Sequence, residues 1–126
     1  MVKTVAVFNS SEDVVKLLRA ALDLAGFKTV EGHIPEVKRG REDFAAFLEV
    51  HDPDVIVYDL SPPYLENWRF FQVMLNDETA KHRRFVLTTT SKQLLEEAVG
   101  SEVNALEISE KPYRLAAIVD AVKKQV

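Results

Sequence analysis

The sequence predicts a doubly wound α/β domain, a five-stranded parallel sheet with helices on both faces. Three observations lead there. Short apolar runs alternate with segments of helical periodicity from one end of the chain to the other. The run Val55-Ile56-Val57-Tyr58 is apolar throughout, the pattern of a strand covered on both faces rather than one. At 126 residues with 47% apolar side chains, the chain holds enough apolar material for one sizeable core and too little for two ordinary domains.

Residues 4–8 form the first strand and stop at the polar cluster Asn9-Ser10-Ser11. Ser10 stands three residues before Asp13, a capping-box spacing, and Val14, Leu17, Leu18, Ala21, Leu22 and Ala25 then recur at helical intervals until Gly26. Residues 27–30 make a weak second strand. Gly32-His33-Ile34-Pro35 and the basic group Lys38-Arg39-Gly40-Arg41 read as a long exposed loop. A helix with Phe44, Phe47 and Leu48 follows, Asp52-Pro53 breaks it, and the third strand runs straight into Asp59. Pro62-Pro63 cannot continue a ladder, so a loop separates that strand from a helix carrying Trp68, Phe71, Val73 and Leu75. Residues 85–89 are the fourth strand, 94–99 a short helix closed by Gly100, and 105–108 the last strand. After Lys111-Pro112 a terminal helix sets Leu115, Ile118, Val119 and Val122 on one face. Because each parallel crossover needs a helix to return the chain, this order implies a flavodoxin-like architecture in one domain over residues 1–126, with no output domain attached.

Composition narrows the function. A net charge of -4 offers nucleic-acid phosphates no general attraction. The lack of cysteine excludes disulfides, thiolate metal sites and cysteine nucleophiles. The N-terminus lacks a signal-peptide layout, and no apolar stretch is long enough to span a bilayer, so a cytoplasmic location is expected. His33, His51 and His82 are scattered without ligand spacing. Four glycines, none in a phosphate-loop pattern, disfavour a nucleotide enzyme.

In an open parallel sheet the working crevice lies beyond the carboxyl ends of the strands. The residues there are Asn9, Ser10, Asp59, Thr89 and Lys111. A carboxylate, a hydroxyl and an ammonium at one edge suit phosphoryl transfer onto the carboxylate, which is already ionised and needs no base. Thr88 and Thr89 both end the fourth strand, and the residues alone do not separate them.

With those residues in view, the chain resembles the receiver domains of response regulators along its whole length. Asp59 ends the third strand, Thr89 follows thirty positions later, and Lys111-Pro112-Tyr113 begins twenty-two beyond that, similar to the family's Lys-Pro-aromatic signature. The resemblance implies a stand-alone receiver in a two-component phosphorelay, not an enzyme beyond its own phosphorylation. Asp59 would be the phosphoacceptor, with Thr89 and Lys111 contacting the phosphoryl group. Its partners would be a histidine kinase or phosphotransfer protein and a downstream protein target. It also implies magnesium, held by Asp59, Asn9 and the backbone carbonyl of Ser61.

Two departures stand against the likeness. The family places an acidic pair after the first strand, where this chain has Asn9 and Ser10, so metal affinity should drop severely. The family's aromatic residue in the last strand is here Ile108, and Glu110 directly before Lys111 is unusual. A second reading is therefore a pseudo-receiver, a phosphorylation-independent protein-interaction module. A small phosphatase would use similar residues, but Ser61 stands where a second carboxylate would be needed. Tyr64, Trp68, Phe70 and Phe71 are too crowded to share one core, which implies an exposed apolar contact for a partner or a second copy.

Overall fold

The computed structural model describes residues 2–109 and 111–126, with the side chains of Pro112 and Tyr113 outside the description. The roles considered for Glu110 and for the ring of Tyr113 therefore lie outside the described residues. The elements are β1 (Thr4–Asn9), α1 (Glu12–Leu24), β2 (Lys28–His33), α2 (Ile34–Lys38), α3 (Phe44–His51), β3 (Val55–Asp59), α4 (Tyr64–Leu75), β4 (Phe85–Thr89), α5 (Lys92–Val99), β5 (Ala105–Glu107) and α6 (Pro112–Gln125). All strand pairs are parallel, in the order β2-β1-β3-β4-β5. The expected doubly wound sheet is thus present.

Strand alternation divides the core in two. Val5, Val7, Val55, Val57 and Val86 face one side, where Val15, Leu18 and Leu22 of α1 and Ile118 and Val122 of α6 cover them. Ala6, Phe8, Ile56 and Tyr58 face the other, against Ile34, Leu48, Phe71 and Leu95 from α2 to α5. β3 is buried at all five positions, which accounts for its unbroken apolar sequence.

Two local expectations change. Ser11, not Ser10, caps α1, and its side chain accepts the backbone N–H of Val14 at 3.4 Å. The segment expected to be one long exposed loop instead extends β2 to His33, and α2 follows at once. β2 continues because its residues pair with β1 as far as Asn9↔His33. Pro35 stands in the first turn of α2, where its fixed φ suits a helix and its missing N–H costs nothing, and Ile34 is 7% exposed in the core. A helix this short shows no periodicity in sequence.

The aromatic crowding on the helix after Pro63 resolves largely inward. The Phe71 ring lies 4.6 Å from Tyr58, 5.3 Å from Phe85 and 5.9 Å from Trp68, and Tyr64 and Trp68 pack against the same core. The exposed large apolar side chains of α4 are Leu65 and Val73.

Gly32 stands opposite Phe8 in the β1–β2 register. A Cβ there would overlap the Phe8 ring, which Phe44 and Phe47 hold edge-on at 5.0 and 4.8 Å. Gly32→Ala should therefore destabilise the chain by about 1–3 kcal/mol, the usual cost of overpacking a filled core. Urea unfolding of the two proteins checks this, and an unchanged midpoint would contradict the packing described.

Candidate functional site

The carboxyl ends of β1, β3 and β4 bring Asn9, Asp59 and Thr88 to one edge of the sheet. Each continues the alternation of a valine two residues earlier, so all three lie on the face covered by α1 and α6. Asp59 is 4% exposed and pairs in register with Thr88, whose hydroxyl donates to Oδ1 of Asp59 at 2.8 Å. Burial raises the Asp59 carboxyl from 3.8 to about 6, because desolvation of the charge outweighs the stabilising Thr88 hydrogen bond. The group is still mostly ionised at pH 7.

Thr88, rather than Thr89, is the threonine brought onto Asp59. Thr89 continues the opposite face after Phe85 and Leu87. It is fully buried, and its hydroxyl has no hydrogen-bond partner among the described residues. Spacing along the chain favoured Thr89, whereas strand register and side-chain alternation select its neighbour. Lys111 is exposed and occupies the N-cap position of α6, with its backbone N–H donating to Oγ of Ser109 at 3.3 Å.

Two of the oxygens expected to hold magnesium also accept hydrogen bonds from nearby residues of the chain. Asn9 is 3% exposed, and its Oδ1 accepts the backbone N–H of Ser11 at 2.9 Å, closing the turn into α1. The Ser61 carbonyl accepts Nδ2 of Asn67 at 2.6 Å. Oδ1 of Asn67 in turn accepts the ammonium of Lys38. Ser10 is exposed. Asp59 is then the one carboxylate of the expected ligand set, while magnesium demands near-octahedral oxygen ligands from carboxylates, phosphates and waters. Among the described residues no group of three acidic or histidine side chains is placed to hold a metal. The donor set does not fit a resident divalent cation.

Sequence reasoning missed Asn67 and the part played by Lys38. Asn67 is 7% exposed, an unusual state for an asparagine within a helix, and it joins α2 to the loop after Asp59. A polar residue amid Leu65, Trp68 and Phe71 was the one visible signal, but nothing in the sequence named its partners. Beside it lies a cleft of about 330 Å³ lined by Ser10, Ile34, Lys38, Arg39, Ser61 and Asn67, together with prolines 35 and 62.

No family model matches the sequence, and no curated protein matches it. Solved structures do match. The chemotaxis response regulator CheY4 of Vibrio cholerae aligns over 100% of both chains at a TM-score of 0.66 and 15% identity. A response regulator from Thermotoga maritima covers 99% of this chain and 98% of its own at 0.60 and 19% identity. The CheY-like receiver domain from Methylobacillus flagellatus aligns over 100% of both chains at 0.64 and 14% identity. This chain has the receiver fold. Within the receiver fold Asp59 ends the central strand, which has two strands on either side.

The raised Asp59 carboxyl links stability to pH. The folded chain holds this proton up to about pH 6, whereas the unfolded chain releases it near 3.8. Between those values the folded state binds more protons, so the Asp59 contribution to stability falls as pH rises through the window and is flat above it. A shift of about two units corresponds to at most about 3 kcal/mol. Asp59→Asn should therefore be the more stable protein at pH 7.5, by up to that amount, with the advantage disappearing near pH 4. Urea titrations of both proteins across the window check it, and equal stability throughout would refute the buried-charge account.

Proposed function

We propose that the chain is a receiver-type signalling module that acts through protein contact and not through metal-dependent phosphorylation of Asp59. One observation carries this reading: Asp59 is the one carboxylate among the three expected metal ligands, and among the described residues no group of three acidic or histidine side chains is placed to hold a cation. Phosphoryl transfer to a carboxylate is catalysed mainly by positioning and by neutralising charge on the phosphoryl oxygens, for which metal ions are the recurring means. Without them, a donor approaching Asp59 meets a buried anion that is only 4% exposed. The fold and its surface then remain available to a partner protein. Leu65 and Val73 on α4 and Leu94 on α5 supply exposed apolar contact.

The second reading keeps Asp59 as phosphoacceptor, supplied by a histidine kinase or phosphotransfer protein. It is favoured by the position of Asp59 at the end of the central strand and by the Thr88 hydroxyl 2.8 Å from its Oδ1. Neither reading involves a membrane span, and among the described residues no helix is long and apolar enough to form one.

Titrating magnesium with beryllofluoride, a phosphoryl mimic, separates the two readings. Backbone amides at the ends of β1, β3 and β4 and the fluorescence of Trp68 should stay unchanged at millimolar magnesium in the folded protein. A saturable response that disappears in Asp59→Asn would overturn the contact-only reading and establish the acceptor role.

A further inference from the structure

The cleft beside Asn67 opens where the chain order in the sheet reverses, since β1 is followed on one side by β2 and on the other by β3. That crevice is where open α/β sheets take ligands. Its walls are Ser10 after β1, the α2 segment, and Ser61 and Pro62 after β3. None of the lining residues is a carboxylate, and two of them, Lys38 and Arg39, are cations.

Lys38 is held in place by neutral groups. Its ammonium donates to the Asn67 amide and lies 5.7 Å from the centre of the Phe70 ring. Asn67 is itself fixed by its bond to the Ser61 carbonyl. Among the described residues Lys38 makes no ion pair, and an ammonium has three hydrogens to donate. Arg39 shares the Glu36 carboxylate with Arg41, at 3.3 and 3.8 Å. One carboxylate therefore faces two guanidinium groups, with Lys38 unneutralised beside them. Glu12 and His33 line the neighbouring groove with Ser10 and Glu36. Asp59 is buried under the edge and is not among the cleft residues.

We propose that this cleft binds a phosphoryl-type oxyanion, gripped by Lys38 and Arg39 with the Ser10 and Ser61 hydroxyls as further donors. The cleft lining carries two cationic side chains and no carboxylate, which favours an anionic ligand over a cation. Binding is non-covalent and does not involve Asp59. It is therefore independent of whether the contact-only reading holds. A dianionic phosphate suits two cationic side chains and two hydroxyls, and the same chemistry is offered by free phosphate and by a phosphomonoester.

Titration of the purified protein with inorganic phosphate, followed by amide NMR, tests the proposal. Saturable shifts are expected at Ser10, Lys38, Ser61 and Asn67 in the millimolar range, unchanged by a chelator. Lys38→Met should weaken binding by about tenfold or more, the loss of one charge-assisted hydrogen bond. Lys38→Arg should keep most of the affinity and serves as the folded control, and Asp59→Asn should bind at least as well as the original chain. A parallel titration with O-phosphoserine separates the sources: tighter binding than phosphate points to an esterified ligand, and equal binding to the free anion. No saturation by either probe, undiminished binding in Lys38→Met, or saturation of the same amides by magnesium alone would each overturn the proposal.

Discussion

Burial of β3 on both faces is the constraint on which the rest depends. All five of its residues are buried, so the strand must be apolar until its final position, and that position holds an aspartate. A carboxylate there leaves water without leaving the sheet, which raises its pKa and makes the Thr88 hydroxyl its close polar partner. Any functional role for Asp59 has to work within that low-dielectric position.

The loops at the carboxyl edge are held by their own polar groups. Asn9 closes the turn after β1 through the Ser11 amide, and Asn67 ties the loop after β3 to its own helix. Lys38 completes the link by joining α2 to Asn67. These bonds satisfy buried polar atoms that would otherwise destabilise the edge. Among the residues expected to hold a cation, Asp59 is the one carboxylate, so the poor fit to a metal comes from the residue types at this edge.

Charge around the edge follows the same division. The Asp59 carboxylate is enclosed beneath the strand ends, whereas Lys38 and Arg39 line the open cleft, with Glu36 paired to Arg39 and Glu12 in the adjoining groove. Screening by salt acts on the exposed Lys38 and Arg39 far more than on the buried carboxylate.

Several features could be determined from the sequence alone. Alternating apolar runs and helical periodicities identified the parallel α/β sheet, because strand and helix periods are local properties of the chain. Asp59 stood out because an unbroken apolar run ended on it. Asn9 and Ser10, standing where the resembled family has acidic residues, raised the expectation of weak metal binding. The tertiary structure decided what depends on register and on distant partners. Thr88 rather than Thr89 meets Asp59 because the alignment of β3 with β4 is set between strands. Helix α2 forms because Ile34 finds a place in the core, which its short sequence could not announce. In the chain from Lys38 through Asn67 to Ser61, the first link joins residues 29 positions apart, and only the tertiary structure brings Lys38 to Asn67.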